Sequence, residues 1–378
     1  MTVTAGGATC PVDTGFIVHN PVNFPNIVAM FEHLGVATEN SDMSFAVSAA
    51  GSLDDGGLEY AGGRGALGVF AQPRNLARPA FWRMLRDILR FNRTAQRALD
   101  LPADVTLGDW LARESFSDIF RDAHLLPMTA AIWSATRADM LAFPAASLFR
   151  FLAAHGLLRV FGRPQWRTVS GGCRTYVDTL IRDFGGSVYM SMPVAAAARN
   201  GDGVTLEFGE TQSRTYDAAV FATHADTALA LLRDADDTER DILGAFGFTA
   251  NRAVLHRDPA FMPERRAAWA SWNYILRDGS GYVTYWMNRL QNIAEIDNLF
   301  VTLDPPTEPR DVLAAFDYTH PQFDRAAVAA QSRLHEIQGP RRTWFCGAWC
   351  GYGFHEDGLK AALRVAADFG VASPWSVA

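Results

Sequence analysis

The residues best suited to chemistry lie in one run near the C-terminus, positions 347–359, which reads GAWCGYGFHEDGL. Apolar residues predict a strand over 343–348, and the residues after the run predict a helix over about 357–370. Glycines in such a turn let the backbone approach a flat ligand closely, and Asp357 stands where a helix N-cap belongs. The positive end of that helix favours a ligand that gains negative charge. An ordinary strand, turn and capped helix is the alternative interpretation.

The histidines and cysteines do not form a recognisable metal or redox site. His224, His256 and His355 are not spaced as HxxxH, and no cysteines are spaced as CxxC, so no metal ion is predicted. His355 is interpreted either as a polar group beside a ligand or as a residue that starts the helix. Cys346 and Cys350 could meet only if the turn folded back, so reduced thiols are favoured over a disulfide.

One glycine pattern is typical of phosphate-binding loops, GRGALG at 63–68. A dinucleotide-binding loop needs a buried strand before it and a helix after it. The short polar segment LEYAG precedes this pattern, and Pro73 and Pro79 follow it, which leaves little room for such a helix. The pattern therefore predicts a surface or inter-strand turn, with a nucleotide loop as the weaker alternative.

Length and composition limit the function classes that remain. The 378 residues are 49% hydrophobic and 20% charged, which suits a folded protein of about two to three domains. The net charge of −7 argues against a nucleic-acid partner. No stretch is apolar enough to span a bilayer, and the first ten residues carry no secretory signal, so a cytoplasmic location is expected. Lys360 is the only lysine, so the other basic residues are arginines.

Short strands alternate with helices along the chain, which predicts an α/β fold of two intertwined domains. Residues 44–48 and 58–61 are predicted to pair as strands, and 188–192 is predicted to be another strand. A helix is predicted over 174–184, behind two glycines. A helical insert and an aromatic antiparallel sheet separate the α/β segments.

Residues 81–101 predict a long amphipathic helix. Its apolar side carries Trp82, Leu85, Ile88 and Leu89. Its other side carries Arg83, Arg86, Arg90, Arg93 and Arg97. Such a basic face can contact lipid headgroups, so peripheral membrane contact is one interpretation, but a solvated helix face is favoured.

Several motifs together resemble a known family. They are VDTGFIVHN, WRTVSGGCRTYVDTL, FATHADTAL, WASWNY, YVTYWMNRLQ and WFCGAWCGYGFHEDGL. In this order they are similar to the flavin-dependent amine-oxidase superfamily, and most of all to its bacterial branch of FAD-dependent oxidoreductases. The resemblance covers nearly the whole chain. It implies FAD as cofactor, a GxGxxG-type FAD domain at 1–20, 165–232 and 336–378, and a substrate domain at 21–164 and 233–335.

The resemblance also implies roles for individual residues. The implied cofactor-binding set is Asp13, Thr14, Gly15, Val194, Ala222, Thr223, Gly347, Ala348, Asp357, Gly358 and Leu359. Trp349 and Tyr352 match the W-x-G-Y of amine oxidases, whose tyrosine forms one wall of an aromatic cage at the flavin. His355 is implied as a polar group near the same face.

The sequence departs from the family pattern in two ways. The family opens with a buried strand, a GxGxxG turn, a helix and an acidic ribose-binding residue, and this sequence begins after them. By comparison about 35–45 residues are absent, the size of one βαβ unit, so an N-terminally truncated Rossmann-type domain is expected. Amine oxidases commonly also hold a lysine near the flavin, and Lys360 does not match that position.

The expected activity is FAD-dependent oxidation or desaturation, with a hydride moving from a substrate carbon to the flavin. The aromatic residues of 269–286 are predicted to divide between sheet core and pocket wall. An aromatic pocket without a lysine suits an apolar, conjugated or lipid-like small molecule at least as well as an amine. The alternative is a non-catalytic flavoprotein fragment, or a subunit that another chain completes.

Overall fold

The computed structural model describes residues 1–378 except 51–56, 103, 134–135, 155, 160–161, 210, 278–279, 376 and 378. The chain divides into two units, each assembled from three stretches. Unit 1 comprises Met1–Asn23, Val36–Thr175 and Ala250–Thr319, and unit 2 comprises Phe24–Gly35, Tyr176–Thr249 and His320–Ala378. The predicted α/β fold with two intertwined domains is confirmed. The predicted domain boundaries and the functions assigned to them stay predictions.

The strands are mostly short, and the longest two have nine and ten residues. They are β1 (Thr2–Ala5), β2 (Ala8–Pro11), β3 (Val18–His19), β4 (Thr38–Asn40), β5 (Phe45–Ala49), β6 (Leu58–Gly62), β7 (Arg167–Val169), β8 (Val194–Asn200), β9 (Gly203–Phe208), β10 (Gln212–Tyr216), β11 (Ala219–Phe221), β12 (Phe248–His256), β13 (Trp272–Arg277), β14 (Ser280–Trp286), β15 (Phe300–Leu303), β16 (Val312–Pro321) and β17 (Thr343–Phe345).

The helices are longest in the segment after β6 and at the C-terminus. They are α1 (Pro25–His33), α2 (Gly65–Val69), α3 (Pro79–Gln96), α4 (Leu107–Arg113), α5 (Asp118–Phe120), α6 (Leu126–Trp133), α7 (Arg137–Ala142), α8 (Ala145–Ala154), α9 (Arg174–Asp183), α10 (Ala225–Leu231), α11 (Asp237–Leu243), α12 (Met287–Leu290), α13 (Arg325–Gln331) and α14 (His355–Asp368). A π-helical turn joins α5 to α6.

Unit 1 is built around one mixed sheet, whose strand order in the described residues is β16-β12-β15-β14-β13-β5-β6. β5 pairs antiparallel with β6, which confirms the predicted hairpin. One face of the sheet is apolar and carries Leu255, Val283 and Val301. Val3 and Cys10 from the β1–β2 hairpin belong to the same buried cluster. The core of unit 1 therefore lies between this face and the segments packed over it.

The opposite face of that sheet carries a row of buried polar side chains. His256, Thr284 and Thr302 are fully buried. The Nδ1 of His256 accepts the backbone N–H of Asp258 at 3.1 Å, so Nε2 carries the ring proton and donates to the Thr302 hydroxyl at 2.7 Å. That hydroxyl lies 2.8 Å from the Thr284 hydroxyl. Burial lowers the pKa of His256 to about 4, so the ring is neutral at pH 7.

Helix α3 forms where predicted, but two of its apolar residues point the other way. Phe81, Met84 and Phe91 face the core. Trp82 and Leu89, predicted on the apolar side, are each 49% exposed. Because successive residues turn by about 100°, a stripe through 81, 84 and 91 leaves 82 and 89 on the outward side with the arginines.

Unit 2 contains a three-stranded antiparallel sheet, β10-β9-β8, and a parallel pair, β11 and β17. The buried Arg199 ties these parts together. Its guanidinium donates to the Glu239 carboxylate at 2.7 Å, to Asp234 at 3.2 Å and to the Thr343 hydroxyl at 3.1 Å. The side chains of Arg199 and Glu239 are only 1% and 4% exposed. This cluster joins β8, α11 and β17 by charge-assisted hydrogen bonds.

The strand predicted over 188–192 is not formed. A strand requires a hydrogen-bonded neighbour, and no described strand pairs with this segment, whose apolar residues instead lie exposed. The helix predicted just before it is confirmed as α9, but one side of it is also exposed. We call the exposed residues Val177, Leu180, Ile181 and Phe184 the α9 apolar face. Unit 2 thus presents apolar side chains that its described residues do not cover.

No helix in the described residues is long and apolar enough to cross a bilayer.

Candidate functional site

The turn between β17 and α14, residues 346–354, has a compact backbone. A Cβ at Gly351 would lie 2.5 Å from Cγ of Asp357, so only glycine fits there. Gly353 has a φ of +89°, which also favours glycine. The backbone N–H groups of Gly351 and Gly353 both donate to the carbonyl of Ala348 at 3.1 Å. The turn is therefore held tightly against the first turn of α14.

The predicted N-cap role of Asp357 is wrong. Helix α14 begins at His355, with Phe354 at the N-cap, and Asp357 is the third helical residue. Its carboxylate accepts the backbone N–H groups of Tyr352 and Phe354 at 3.0 and 3.1 Å. Burial raises the pKa of Asp357, although these two hydrogen bonds oppose the shift. Asp357 therefore fixes the turn from inside the helix.

The carboxyl ends of two parallel strands meet beside this turn. After β11, Thr223 is exposed, and its carbonyl accepts the Trp349 indole N–H at 3.0 Å. The ideal Cβ position of Gly347 lies 3.5 Å from the same carbonyl, and that of Gly358 lies 3.5 Å from the nitrogen of Ala348. The structure thus brings together most of the predicted cofactor residues of unit 2. The exposed Ala222 and the half-buried Leu359 flank them.

The two aromatic residues of the W-x-G-Y motif have different environments. Trp349 is 2% exposed and packs edge-on against Phe246 in the core of unit 2, with ring centroids 4.7 Å apart. Tyr352 is 38% exposed. Trp349 therefore supports the turn, whereas Tyr352 presents its ring at the surface of unit 2.

His355, at the first position of α14, contacts a residue that the sequence did not single out. Its Nε2 lies 2.8 Å from the Tyr176 hydroxyl at the start of α9. Neighbouring protein atoms displace water from the imidazole, and this desolvation lowers the pKa of His355. A polar pair therefore sits at the N-terminal end of α14.

Glu356 is a second residue that sequence reasoning missed. It is 2% exposed, and its carboxylate accepts the side-chain and backbone N–H groups of Asn26 at 2.7 and 3.1 Å and the backbone N–H of Ile27 at 3.0 Å. These donors belong to the first turn of α1, so Glu356 joins the N-terminal ends of α1 and α14. The i,i+4 pair with Lys360 is visible in the sequence, but the link to α1 is not.

The predicted cofactor residues of unit 1 lie after the β1–β2 hairpin. The Asp13 carboxylate accepts the backbone N–H of Cys173 at 2.9 Å and the Gln291 side-chain N–H at 2.8 Å. The Thr14 hydroxyl lies 2.7 Å from that of Tyr318. Asp13 is 8% exposed, so its hydrogen bonds order the segment from within the protein.

The remaining two predicted cofactor residues are Gly15 and Val194. Gly15, in unit 1, is exposed, and no heavy atom lies within 4 Å of its ideal Cβ position. Val194, in unit 2, is half-buried at the start of β8, where a bulge separates it from Ala196. Both positions therefore offer accessible backbone, and their roles stay predictions.

Unit 1 contains an open cavity of about 410 Å³ on the apolar side of its sheet. Its walls comprise Asp122, Leu126, Pro127, Thr136, Arg137, Asn251, Tyr274, Leu276, Gly281, Tyr282, Val283, Leu303 and Asp304. Burial raises the pKa of Tyr274 and Tyr282, so both phenols are neutral donors at pH 7. Burial alone would raise the pKa of Asp122, but hydrogen bonds from Arg121 and Arg137 lower it. The cavity has aromatic and aliphatic walls with an ion pair at one end.

The glycine pattern at 63–68 forms a turn and the five-residue helix α2. A Cβ at Gly68 would lie 2.8 Å from the carbonyl of Ala61, so glycine is needed for close packing on β6. A helix this short cannot serve as a βαβ crossover, which supports the predicted turn.

The four cysteines are free thiols. Burial raises the pKa of Cys350 to about 12, so this thiol is protonated at pH 7. In the part of the chain that the structure describes, no group of three or more His, Cys, Asp or Glu side chains could hold a metal ion.

The residues of unit 2 fit the FAD that the resemblance implies. Nucleotide cofactors of α/β sheets bind in the crevice outside the carboxyl ends of parallel strands, beside a helix N-terminus. β11 and β17 are parallel, and their carboxyl ends lead into the exposed Thr223 and the 346–354 turn. α14 begins directly after that turn and has 14 residues. The residues that would hold FAD here are Ala222, Thr223, Gly347, Ala348 and Gly358.

Comparison with known proteins also indicates a flavin cofactor. The family model described as flavin containing amine oxidoreductase matches residues 2–264. The description names a flavin, so the predicted cofactor, FAD, is confirmed. No functionally curated protein sequence matches the chain.

Solved structures similar to this chain share its fold. Cyclohexylamine oxidase from Brevibacterium oxydans is 15% identical with a TM-score of 0.67, over 98% of this chain and 91% of that one. A CLA-producing fatty acid isomerase from P. acnes is 12% identical with a TM-score of 0.64, over 98% and 89%. Putrescine oxidase bound to putrescine is 13% identical with a TM-score of 0.64, over 98% and 90%. At such identities the likeness concerns the fold alone.

Proposed function

The chain belongs to the family of flavin-containing amine oxidoreductases, and from this premise we propose that it oxidises or desaturates a small apolar or lipid-like substrate with FAD. When bound, FAD supplies the oxidising power by accepting a hydride from a substrate carbon. The observation that carries the proposal is that the carboxyl ends of the parallel strands β11 and β17 meet, where Thr223, Gly347 and Gly358 lie close together.

The protein's own contribution in unit 2 is to hold and orient the cofactor. Gly347 and Gly358 keep the backbone free of side chains, and Asp357 keeps the turn in shape through its two hydrogen bonds. The first turn of α14 places the positive end of a helix beside the turn, which favours negative charge there. Tyr352 offers an aromatic surface at the same turn.

We propose that the cavity of unit 1 takes the substrate. Tyr274, Val283 and Leu303 give it an apolar wall that excludes water from a carbon chain. Asp122 and Arg137 form a polar end, where their ion pair fixes the orientation of a substrate with one polar group. Because the pKa of Asp122 is lowered, this carboxylate orients the substrate and is a poor proton acceptor at pH 7.

The experiment is anaerobic reduction of the FAD-loaded protein by a panel of alkylamines and unsaturated fatty acids. We expect at least one panel member to bleach the visible flavin band. Tyr352→Leu should slow bleaching at least about tenfold, because the aromatic surface at the turn is lost. Tyr216→Leu is the matched control, since Tyr216 is also 38% exposed in unit 2. No bleaching by any member, or equal slowing in both variants, would overturn the proposal.

A second candidate function is a subunit that another polypeptide completes. It is supported by the α9 apolar face and by the exposed side chains of Val188, Tyr189 and Met190, which are 46%, 55% and 77% exposed. A strand placed beside 188–192 with a helix on α9 would bury both surfaces.

A titration with FAD separates the two candidates. If the second is correct, the 378-residue chain alone binds FAD weakly and aggregates, and co-expression with a strand–helix–strand segment from a relative restores a yellow protein. Micromolar or tighter FAD binding by the chain alone, with reduction by a substrate, would contradict the second candidate and support the first.

A further inference from the structure

Basic charge is concentrated in one stretch of unit 1. Residues 74–97 contain seven arginines and one acidic residue, a net charge of +6 in a chain of net charge −7. The acidic residue, Asp87, is 3% exposed, and its carboxylate accepts the hydroxyl and backbone N–H of Ser117 at 2.6 and 3.1 Å. The same carboxylate lies 3.4 Å from the Arg90 guanidinium, so it offsets the charge of that arginine, and the exposed charges of the stretch are positive.

The arginines of this stretch differ in how they are held. Arg90 is fixed, because it donates to the carbonyls of Glu114 and Ser115 at 2.9 and 3.2 Å and lies 3.8 Å above the Phe116 ring. Arg83 and Arg86 are exposed, and no residue that the structure describes forms a salt bridge with either. Two guanidinium groups are therefore available to an outside anion.

These arginines line an open cleft of about 280 Å³. Its walls are Arg83, Arg86, Asp87, Arg90, Ser115 and Ser117. Guanidinium groups bind phosphate oxygens through paired hydrogen bonds, and the Ser115 hydroxyl can add a further donor. The cleft therefore has the chemistry of a phosphate-headgroup site.

Large apolar side chains are exposed beside the same arginines. Trp82 and Leu89 are each 49% exposed, Leu76 is 54% exposed and Leu67 is 85% exposed. Trp82 is held in place, since its indole N–H donates to the Leu76 carbonyl at 2.9 Å and its ring packs 5.6 Å from that of Phe70. Exposing several large apolar side chains to water is unfavourable, so this group indicates an interaction site. Its partner must offer negative charge to the arginines and an apolar layer to the tryptophan and leucines.

We propose that this side of unit 1 docks on the surface of a membrane that contains anionic phospholipids. We define the docking surface, named the basic-apolar face, as Leu67, Leu76, Trp82, Arg83, Arg86, Leu89 and Arg93. Arginines contact lipid phosphates while tryptophan and leucine enter the boundary between headgroups and acyl chains, as in helices that lie in the interface plane. An RNA or an acidic protein would satisfy the arginines but would leave the leucines in water. This inference is independent of the proposed chemistry.

The test is co-sedimentation of the full chain with vesicles. The vesicles contain either phosphatidylcholine alone or equal amounts of phosphatidylcholine and phosphatidylglycerol. We expect binding only to the anionic vesicles. Each basic residue near an anionic surface contributes about fivefold in partitioning, so Arg83→Gln with Arg86→Gln should weaken binding about 25-fold. Trp82→Ser with Leu89→Ser should remove the binding that persists at high salt, where electrostatic attraction is screened.

The matched control is Arg240→Gln with Arg325→Gln, which makes the same charge change at exposed positions of unit 2. It should bind anionic vesicles like the wild type. Absence of vesicle binding, or an equal loss in the control, would overturn the proposal. So would displacement from vesicles by single-stranded RNA together with wild-type binding by the Trp82→Ser, Leu89→Ser variant. The double variant of Arg83 and Arg86 should fold normally, because both side chains are exposed. It therefore tests the proposal even if the double variant of Trp82 and Leu89 unfolds.

Discussion

The two units differ in how completely their residues are covered. In unit 1 a continuous sheet buries apolar side chains on one face and a hydrogen-bonded row of His256, Thr302 and Thr284 on the other. In unit 2 the sheets have three and two strands among the described residues, and the α9 apolar face and 188–190 are exposed. Parallel strands are normally covered on both faces, so unit 2 has more to gain from a ligand or another polypeptide than unit 1.

The difference also shows where each unit places its charges. Unit 2 buries an ion pair, Arg199 with Glu239, to hold its separate strands together. Unit 1 concentrates positive charge along α3, where residues 74–97 carry a net charge of +6 and most of the arginines are exposed. The separate strands of unit 2 therefore depend on a few buried charged contacts. In unit 1 the exposed arginines of α3 can instead bind an anionic partner.

The largest expected effect is in unit 2. Glu239→Gln leaves the guanidinium of Arg199 buried with a weaker partner, and breaking a buried pair in this way costs about 3–5 kcal/mol. Urea unfolding should show this loss in the free energy of unfolding. Glu336→Gln, which breaks an exposed pair with Arg333, should leave the urea midpoint unchanged. Equal stability of the two variants would show that unit 2 does not depend on its buried charges.

An intermediate effect is expected in unit 1 at acid pH. Because the pKa of His256 is lowered to about 4, the unfolded chain binds one more proton than the folded chain between about pH 6.5 and 4. The free energy of unfolding should therefore fall with falling pH by about 1.4 kcal/mol per pH unit from this group, and not above pH 6.5. His256→Gln should remove that part of the slope. Identical slopes for the variant and the wild type would place the acid sensitivity elsewhere.

The smallest effect on stability is expected on the surface of unit 2. Leu180→Gln with Phe184→Gln should change the free energy of unfolding by less than about 0.5 kcal/mol, because both side chains are exposed. Light scattering of the purified protein should nevertheless fall, since an apolar patch is removed. Val22→Gln with Val312→Gln makes a comparable change at exposed positions of unit 1. An equal decrease in light scattering for both double variants would show that the two units do not differ in their exposed apolar surface.

Local patterns predicted the elements that local interactions determine. Alternation predicted the β5–β6 hairpin, and helical periodicity predicted α3, α9 and α14 within a few residues. The segment 188–192 has the same apolar alternation but no strand, because pairing depends on a neighbour and not on the segment itself. The sequence alone could not decide this case.

The candidate site was predictable where glycines and strand ends mark it. Thr223, Gly347 and Gly358 do lie together. The exact start of α14 was missed because the Asp357 carboxylate reaches back to the turn from inside the helix. Glu356 and Tyr176 were missed because their partners lie far away in the sequence, where spacing carries no information. The outward position of Trp82 was also missed, because α3 has two apolar stripes. The sequence does not show that the stripe with Phe81, Met84 and Phe91 is the one that packs in the core.

The hydrogen bonds between Glu356 and the start of α1 have a consequence for biosynthesis. They span 330 and 329 residues, so α1 leaves the ribosome long before its partner helix exists. During translation the first turn of α1 must wait with its N–H groups exposed while the intervening residues, including most of unit 1, can already fold. Contacts of such sequence separation slow folding, because the loop between them must close first. Unit 2 is therefore the part of this protein that can be completed only after Glu356 has left the ribosome.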